Sequence, residues 1–235
     1  MARKYTGWNQ NATGKRRGTE RFVQLLCQHF DGAICNNGTW AVRASRGSGN
    51  PSVHGTGRAA DVSWRRMDSG KGFGNYKNAL VVLDFLVDNA ETLQIEELHD
   101  YYLAPHGRGW RCDRNAWKIY DKPTIGTPGG DWWHIEISEQ YADDPAYYET
   151  AFKNIAAGTV PKIIVSPAIS FKYPGEVVKV GSKGDSVKLI QAIVGAKADG
   201  DFGAKTSQAV KVWQKSKGVK ADGVVDETCW QTMFG

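Results

Sequence analysis

Two short segments constrain the fold of this 235-residue chain more than any other feature, because their side chains match the ligands of a catalytic zinc. One segment contains His54 and Asp61, and the other contains Asp131 and His134. Two imidazoles and one carboxylate supply three nitrogen or oxygen ligands and leave a fourth position open for water. The sequence therefore predicts a Zn²⁺ site of His54, Asp61 and His134, with Asp131 as general base.

Alternation of polar and apolar residues predicts that both segments include a strand facing one cleft. Residues 58–64 read as a strand with Asp61 among small side chains, which leaves room for a metal. Residues 134–138 alternate with His134 and Glu136 on one polar face. The fold must therefore bring two polar strand faces together.

A bend is needed between His54 and Asp61 for both side chains to reach the same cleft. The two residues are separated by an odd offset, so one continuous strand would aim them in opposite directions. Gly55 and Gly57 lie between them, and glycine permits a tight turn. We therefore expect the chain to turn sharply at these glycines.

The two motifs carry a family resemblance. The pattern Ser-x-His-x-x-Gly-x-Ala-x-Asp at 52–61 and the carboxylate-x-Trp-His segment at 131–134 resemble the VanY / D-alanyl-D-alanine carboxypeptidase class of zinc peptidases. That family includes phage endolysins that cleave the L-alanyl-D-glutamate bond of peptidoglycan. The resemblance implies an α+β fold for residues 1–158: a small zinc peptidase domain with a short antiparallel sheet and flanking helices.

The same resemblance assigns roles to individual residues. His54, Asp61 and His134 would be the zinc ligands, and Asp131 would occupy the position of the catalytic base. The carboxypeptidase branch usually has glutamate at that position, whereas the endopeptidase branch has aspartate, which favours an endopeptidase here. Glu136 shares a face with His134 and stays open as an alternative base.

An arginine upstream of the first histidine holds the substrate or polarises its carbonyl in this family. The strand-like segment at residues 39–45 nominates Arg43 for this role, with Arg46 as a competitor. A guanidinium group offers planar, paired donors that suit a peptide carboxylate or carbonyl.

The chain changes character beyond residue 158. Every arginine lies at or before Arg114, and residues 159–178 contain three prolines and few helix signals, which is typical of a linker.

The tripeptide Ala-Asp-Gly then occurs twice within residues 179–235, each time before a helix-like run. This tail resembles the three-helix peptidoglycan-binding module of cell-wall hydrolases, which implies peptidoglycan as the partner. Four of its residues are predicted to serve the core or turns: Gln191, Phe202, Gln214 and Trp230.

Composition argues against several other classes of function. The net charge of +5 is mild; it favours approach to an anionic cell wall and does not indicate nucleic acid binding. The four cysteines lack metal-ligand spacing, so neither a cysteine zinc site nor a cysteine nucleophile is predicted. No apolar run approaches the length that membrane insertion requires. The first residues lack the hydrophobic region of a signal peptide, so we expect the protein to stay in the host cytoplasm until lysis and then to act on the wall. We also expect the protein to be a monomer.

The remaining basic and histidine residues are given the following roles. The basic residues 15–17 are predicted to form a solvated turn before a helix at 21–30. His29 and His99 are predicted to be structural, while His106 with Arg108 could line the cleft.

The leading hypothesis is a zinc-dependent endolysin that cleaves the peptidoglycan stem peptide. A D-alanyl-D-alanine carboxypeptidase would use the same chemistry on a different bond. A third hypothesis is a non-catalytic wall-binding protein whose metal is structural, but the spare Asp131 and the open ligand position favour an enzyme. A glycosidase is not indicated, because no convincing carboxylate pair is found.

Overall fold

The computed structural model describes residues 3–45, 49–65, 72–103, 106–120, 129–158 and 173–234. These residues form an antiparallel six-stranded sheet with helices around it, followed by three helices near the C-terminus. The predicted sheet with flanking helices and the predicted helical tail are confirmed at this level. Most of the predicted linker, residues 159–172, lies outside the described residues.

The strands are β1 (Cys35–Gly38), β2 (Ala59–Ser63), β3 (Ile95–Asp100), β4 (Arg108–Arg111), β5 (Ala116–Ile119) and β6 (Trp132–Ile137). The α-helices of the described residues are α1 (Arg17–His29), α2 (Tyr76–Asp88), α3 (Pro145–Ala156), α4 (Asp185–Ile193), α5 (Ala204–Ser216) and α6 (Glu227–Phe234). The longest of them have 13 residues, and none in the described part of the chain combines the length and apolarity needed to cross a membrane.

Strand β6 lies in the middle of the sheet, whose order is β1-β2-β6-β3-β4-β5. His134 of β6 is paired with Asp61 of β2 on one side and with His99 of β3 on the other. Directly paired residues of antiparallel strands point to the same face of the sheet. The sheet order therefore groups these three polar side chains on one face.

The opposite face of the same three strands is apolar and fully buried. Val62, Leu98 and Ile135 each have a relative exposure of 0 %. They belong to one core with Phe22 of α1 and Leu83 of α2, which are equally buried. This burial fixes the register, because a shift by one residue would turn the apolar side chains to the polar face.

Helix α1 begins four residues before the predicted start. A Cβ at Gly18 would lie 2.2 Å from the carbonyl oxygen of Tyr141, so only glycine permits this close approach. Thr19 donates its backbone N–H to the oxygen of Ala142 and its hydroxyl to the oxygen of Gly57. The basic residues resemble a turn in the sequence, but these tertiary contacts extend the helix to Arg17.

Each of the two Ala-Asp-Gly turns of the tail is stabilised by hydrogen bonds to the side chain of a buried glutamine. Gln191 is buried; its amide donates to Asp199 Oδ1 and its oxygen accepts from the N–H of Gly200, both at 2.9 Å. Gln214 is also buried and accepts from the N–H of Gly223 at 2.9 Å. These contacts, with the buried Phe202 and Trp230, confirm the structural roles predicted for the four residues.

Candidate metal centre

The loop before β2 carries His54 into the cleft. His54 lies in a short 3-10 helix, Val53–Thr56, which begins after Ser52, and the hydroxyl of Ser52 accepts from the N–H of His54. Gly57 ends this turn in the left-handed region, with φ of 69°, and leads the chain into β2 towards Asp61. The sharp turn predicted at Gly57 is therefore present.

Gly55 serves a different purpose from the one predicted. It is part of the 3-10 helix and does not adopt positive φ. A Cβ at this position would lie 2.4 Å from Asn11 Oδ1, and the carbonyl of Gly55 accepts from the N–H of Ala12. Glycine therefore leaves room for the Asn11 side chain, because the N-terminal segment passes close to the loop.

Three ligand atoms from three different elements converge. Asp61 Oδ1 lies 3.0 Å from His54 Nε2 and 3.0 Å from His134 Nδ1, and the two nitrogens are 3.1 Å apart. Ligands at about 2.0–2.1 Å from a tetrahedral zinc are separated from each other by about 3.3 Å. The geometry and the donor set both fit a zinc ion with an open fourth position.

Burial and hydrogen bonding set the charges of this cluster. Burial favours the neutral form of Asp61, but hydrogen bonds from His134 and His54 lower its pKa below the ordinary value. Burial lowers the pKa of His54. Burial would also lower the pKa of His134, but its hydrogen bonds to Asp61 and Glu136 raise it to about 10. A metal ion must therefore displace a proton from His134 at neutral pH, because a metal-bound imidazole is deprotonated at the coordinating nitrogen.

Glu136 fixes the orientation of His134. Its Oε1 lies 2.9 Å from His134 Nε2, and its Oε2 accepts from the hydroxyl of Tyr5 at 3.0 Å. Carboxylate contacts of this kind select the tautomer of a metal-binding histidine and hold its ring. Nδ1 of His134 is left facing Asp61 and His54, while both oxygens of Glu136 are occupied.

Asp131 lies just before β6, and its carboxylate does not join the cluster. Its Oδ2 is 3.4 Å from a guanidinium nitrogen of Arg65, a largely exposed side chain. Its backbone oxygen accepts from the N–H of Trp64. Asp131 is not among the residues that line the cavity, and its role as base stays a prediction.

Arg43 reaches the cluster from an irregular segment rather than from the predicted strand. The neighbouring Ala44 forms an isolated bridge with Pro51, and the carbonyl of Arg43 accepts from the N–H of Ser52. The guanidinium lies 3.7 Å from Asp61 Oδ2. Its competitor at position 46 lies outside the described residues.

The cluster lies at the base of a cavity of about 450 Å³. Trp8, Tyr101 and Trp132 contribute aromatic walls, whereas Trp133 points into the core and has no exposed surface. A larger depression of about 910 Å³ lies against α1, but no histidine is among its lining residues. The smaller cavity is therefore the candidate site.

Two residues of β3 that the sequence did not place at the site, Glu97 and His99, line the same cavity. His99 was expected to be structural, yet it lines the cavity with Nε2 3.3 Å from Glu97 Oε2 and Nδ1 3.0 Å from the hydroxyl of Tyr120. The alternation of Glu97 and His99 was a usable signal. It could be interpreted only once β3 was known to pair with β6.

Arg108 does not line the cleft. It is 2 % exposed, and its Nε lies 2.8 Å from Asp100 Oδ2 in a buried ion pair. The guanidinium also lies over the ring of Trp117 at 4.1 Å. The suggestion that it could line the cleft is wrong because Arg108 is part of the core.

Comparison with known protein families gives one match, to a peptidoglycan binding domain at residues 184–233. The matched segment contains α4, α5 and nearly all of α6, and it does not extend to residues 1–158. The match supports association of this chain with the bacterial cell wall. Searches of curated proteins and of solved structures find no match.

Proposed function

We propose that the protein is a zinc-dependent peptidoglycan peptidase whose C-terminal module tethers it to the wall. The observation that carries the proposal is the convergence of His54, Asp61 and His134 atoms at 3.0–3.1 Å in a cavity. The resemblance of the two motifs to zinc peptidases favours cleavage of the L-alanyl-D-glutamate bond. The peptidoglycan binding domain supports the choice of substrate.

Three residues would bind the metal, and a fourth would orient one of them. His54, Asp61 and His134 would hold the zinc, and Glu136 would keep the ring of His134 in place. When bound, zinc lowers the pKa of a coordinated water to about 7 and polarises a carbonyl group. The buried setting strengthens the electrostatic interactions within the cavity.

Asp131 is the proposed base. Glu136 is less suited to that role, because one of its oxygens contacts His134 and the other accepts from Tyr5. The pair between Asp131 and Arg65 is exposed, and such a pair stabilises by only about 0–1 kcal/mol. Rotation of the Asp131 carboxylate towards substrate therefore costs little. The carboxylate would then take a proton from the attacking water and deliver it to the leaving amine.

Arg43 is the proposed substrate-binding residue. Its side chain is 35 % exposed, and its guanidinium lies beside the Asp61 oxygen that does not contact the histidines. A substrate carboxylate or carbonyl could bind the remaining donors. The aromatic side chains of Trp8 and Trp132 offer flat apolar surface on which a peptide or sugar could pack.

The products distinguish the competing functions. Purified peptidoglycan would be incubated with the zinc-loaded protein and the released fragments analysed by mass spectrometry, with His134→Ala as the inactive control. An L-alanyl-D-glutamate endopeptidase leaves glutamate with a new free amino group. Release of D-alanine alone would identify a carboxypeptidase, and wall binding without new termini would identify a non-catalytic binding protein.

A further inference from the structure

The N-terminal segment lies against the candidate metal centre. Tyr5, Gly7 and Trp8 line the same cavity as His134. We call residues 3–8 the N-terminal strap. None of the sequence motifs involves this segment, so its position depends on contacts with the folded sheet.

Two buried charged residues anchor the strap. Arg58 is 0 % exposed; it donates to the carbonyl oxygen of Gly7 and, at 2.6 Å, to that of Ile137. Glu96 is 2 % exposed and accepts from the N–H of Thr6 at 3.1 Å. Arg58 and Glu96 also pair with each other at 3.5 Å. A buried ion pair with further hydrogen bonds holds its partners in a defined position.

This anchoring fixes the ring of Tyr5. Gly7 has φ of 59°, and a Cβ there would lie 3.1 Å from the Tyr5 ring. The guanidinium of Arg111, at the end of β4, lies 4.6 Å from the ring centroid. The phenol therefore contacts both the strap's own turn and β4, and its hydroxyl lies 3.0 Å from Glu136 Oε2.

The hydroxyl of Tyr5 acts as a donor in this position. Burial raises the pKa of Tyr5 above its ordinary value, and the nearby carboxylates of Glu136 and Glu97 raise it further. The phenol therefore keeps its proton at neutral pH. A donated hydrogen bond leaves Glu136 Oε1 free to contact His134 Nε2.

We propose that Tyr5 is a positioning residue that holds Glu136, and through it His134, in the geometry required for zinc binding. This inference rests on the proposed function. Removal of the hydroxyl would leave Glu136 Oε2 buried with one hydrogen bond fewer. Loss of such an outer partner typically weakens metal affinity by about 10–100-fold.

A second group of potential ligands, Glu97, His99 and Glu136, lies beside the first. The charged residues lining the cavity are three carboxylates (Asp61, Glu97, Glu136) and the guanidinium of Arg43. Once a metal has displaced the proton of His134, the histidines are neutral and these groups give a formal charge of −2. One divalent cation neutralises this charge, whereas a second would leave a buried excess of positive charge. The second group therefore serves as hydrogen-bonding support for one metal.

The test compares zinc affinity in full-length variants by competition with a chromophoric chelator. Tyr5→Phe is expected to bind zinc about tenfold more weakly. Tyr147→Phe is the matched control, because its hydroxyl donates to the carbonyl of Thr92 and it does not line the cavity. The visible bands of the cobalt-substituted protein should shift in Tyr5→Phe and not in Tyr147→Phe.

A double-mutant cycle separates positioning from a general structural role. Because Tyr5 acts through Glu136, the affinity of Tyr5→Phe/Glu136→Gln should equal that of Glu136→Gln alone. Full additivity, or unchanged affinity in Tyr5→Phe, would overturn the inference while leaving the proposed function intact. A zinc stoichiometry of two that drops to one in Glu97→Gln would also overturn it. Absence of zinc binding by the unaltered protein would overturn both.

Discussion

His134 connects the two groups of polar side chains in the cavity. Its Nδ1 lies 3.0 Å from Asp61 Oδ1, and its Nε2 lies 2.9 Å from Glu136 Oε1. The ring is therefore fixed from both ends, with one nitrogen assigned to each partner. This arrangement leaves Nδ1 facing the cluster and places Glu136 on the opposite side of the imidazole.

Replacement of the two candidate bases separates catalysis from orientation. Asp131→Asn should retain zinc but lose about 10²–10⁴-fold in turnover, because the amide cannot accept the proton. Glu136→Gln should instead weaken zinc binding and recover much of its turnover when zinc is saturating. Turnover would be measured on soluble muropeptides over a range of zinc concentrations.

Arg65→Met provides the matched control for these variants. It removes the ion pair of Asp131 without touching the cavity, so turnover should stay near the unaltered value. Near-normal turnover in Asp131→Asn, together with an inactive Glu136→Gln at saturating zinc, would transfer the role of base to Glu136.

The residues that converge in the cavity were predictable to different degrees. The spacing around His54, Asp61 and His134 could be interpreted because strand alternation and a glycine bend are local properties. The contribution of His99 depends on the pairing of β3 with β6, which alternation alone does not specify. Tyr5 could not be predicted either, because the buried pair of Arg58 and Glu96 holds its neighbours.

Among the secondary-structure elements, the turns that follow α4 and α5 depend on hydrogen bonds between a glutamine side chain and the backbone of the turn. The carbonyl of Gln191 accepts from the N–H of Gly200, and its amide donates to the carbonyl oxygen of Asp201 at 2.9 Å. The same turn also makes backbone hydrogen bonds, from the N–H of Gly184 to the oxygen of Gly200 and from the N–H of Phe202 to the oxygen of Ser182. The repeated Ala-Asp-Gly could be recognised in the sequence, but its dependence on a glutamine eight residues before each aspartate required the structure.

Removal of one glutamine should destabilise the module. Gln191→Ala would leave the buried N–H of Gly200 without its acceptor, and such a loss costs about 1–3 kcal/mol. The free energy of unfolding would be measured by denaturant titration, with the exposed Gln208→Ala in α5 as the control. An effect no larger than that of Gln208→Ala would contradict this account of the turn.

At the scale of the whole molecule, the candidate site and the binding module occupy different parts of the chain. The residues that line the cavity end at Glu136, and the peptidoglycan-binding match begins at residue 184. This separation in sequence suits a division between hydrolysis and anchoring. An anchor raises the concentration of wall substrate around the site without changing the chemistry there.

A shortened chain tests this division. Residues 1–158 should cleave small soluble muropeptides at close to the full-length rate and degrade intact walls more slowly, because the tether is lost. The separate module, residues 179–235, should sediment with purified walls and release no fragments. Equal rates on walls for the two forms, or a module that stays in the supernatant, would contradict the anchoring role.

Zinc titration with simultaneous measurement of hydrolysis tests whether one zinc ion, bound by His54, Asp61 and His134, is required for cleavage of the wall. Zinc would be added to the chelator-treated, full-length protein, and bound metal and release of wall fragments would be measured in the same samples. His29→Gln is the control, because His29 stacks on Phe85 and does not line the cavity. We expect hydrolysis to rise with bound zinc and saturate at one ion per chain, with neither activity nor stoichiometric zinc in His54→Ala or His134→Ala. Full hydrolysis by the metal-free protein, or undiminished one-to-one zinc binding by His54→Ala, would contradict the account.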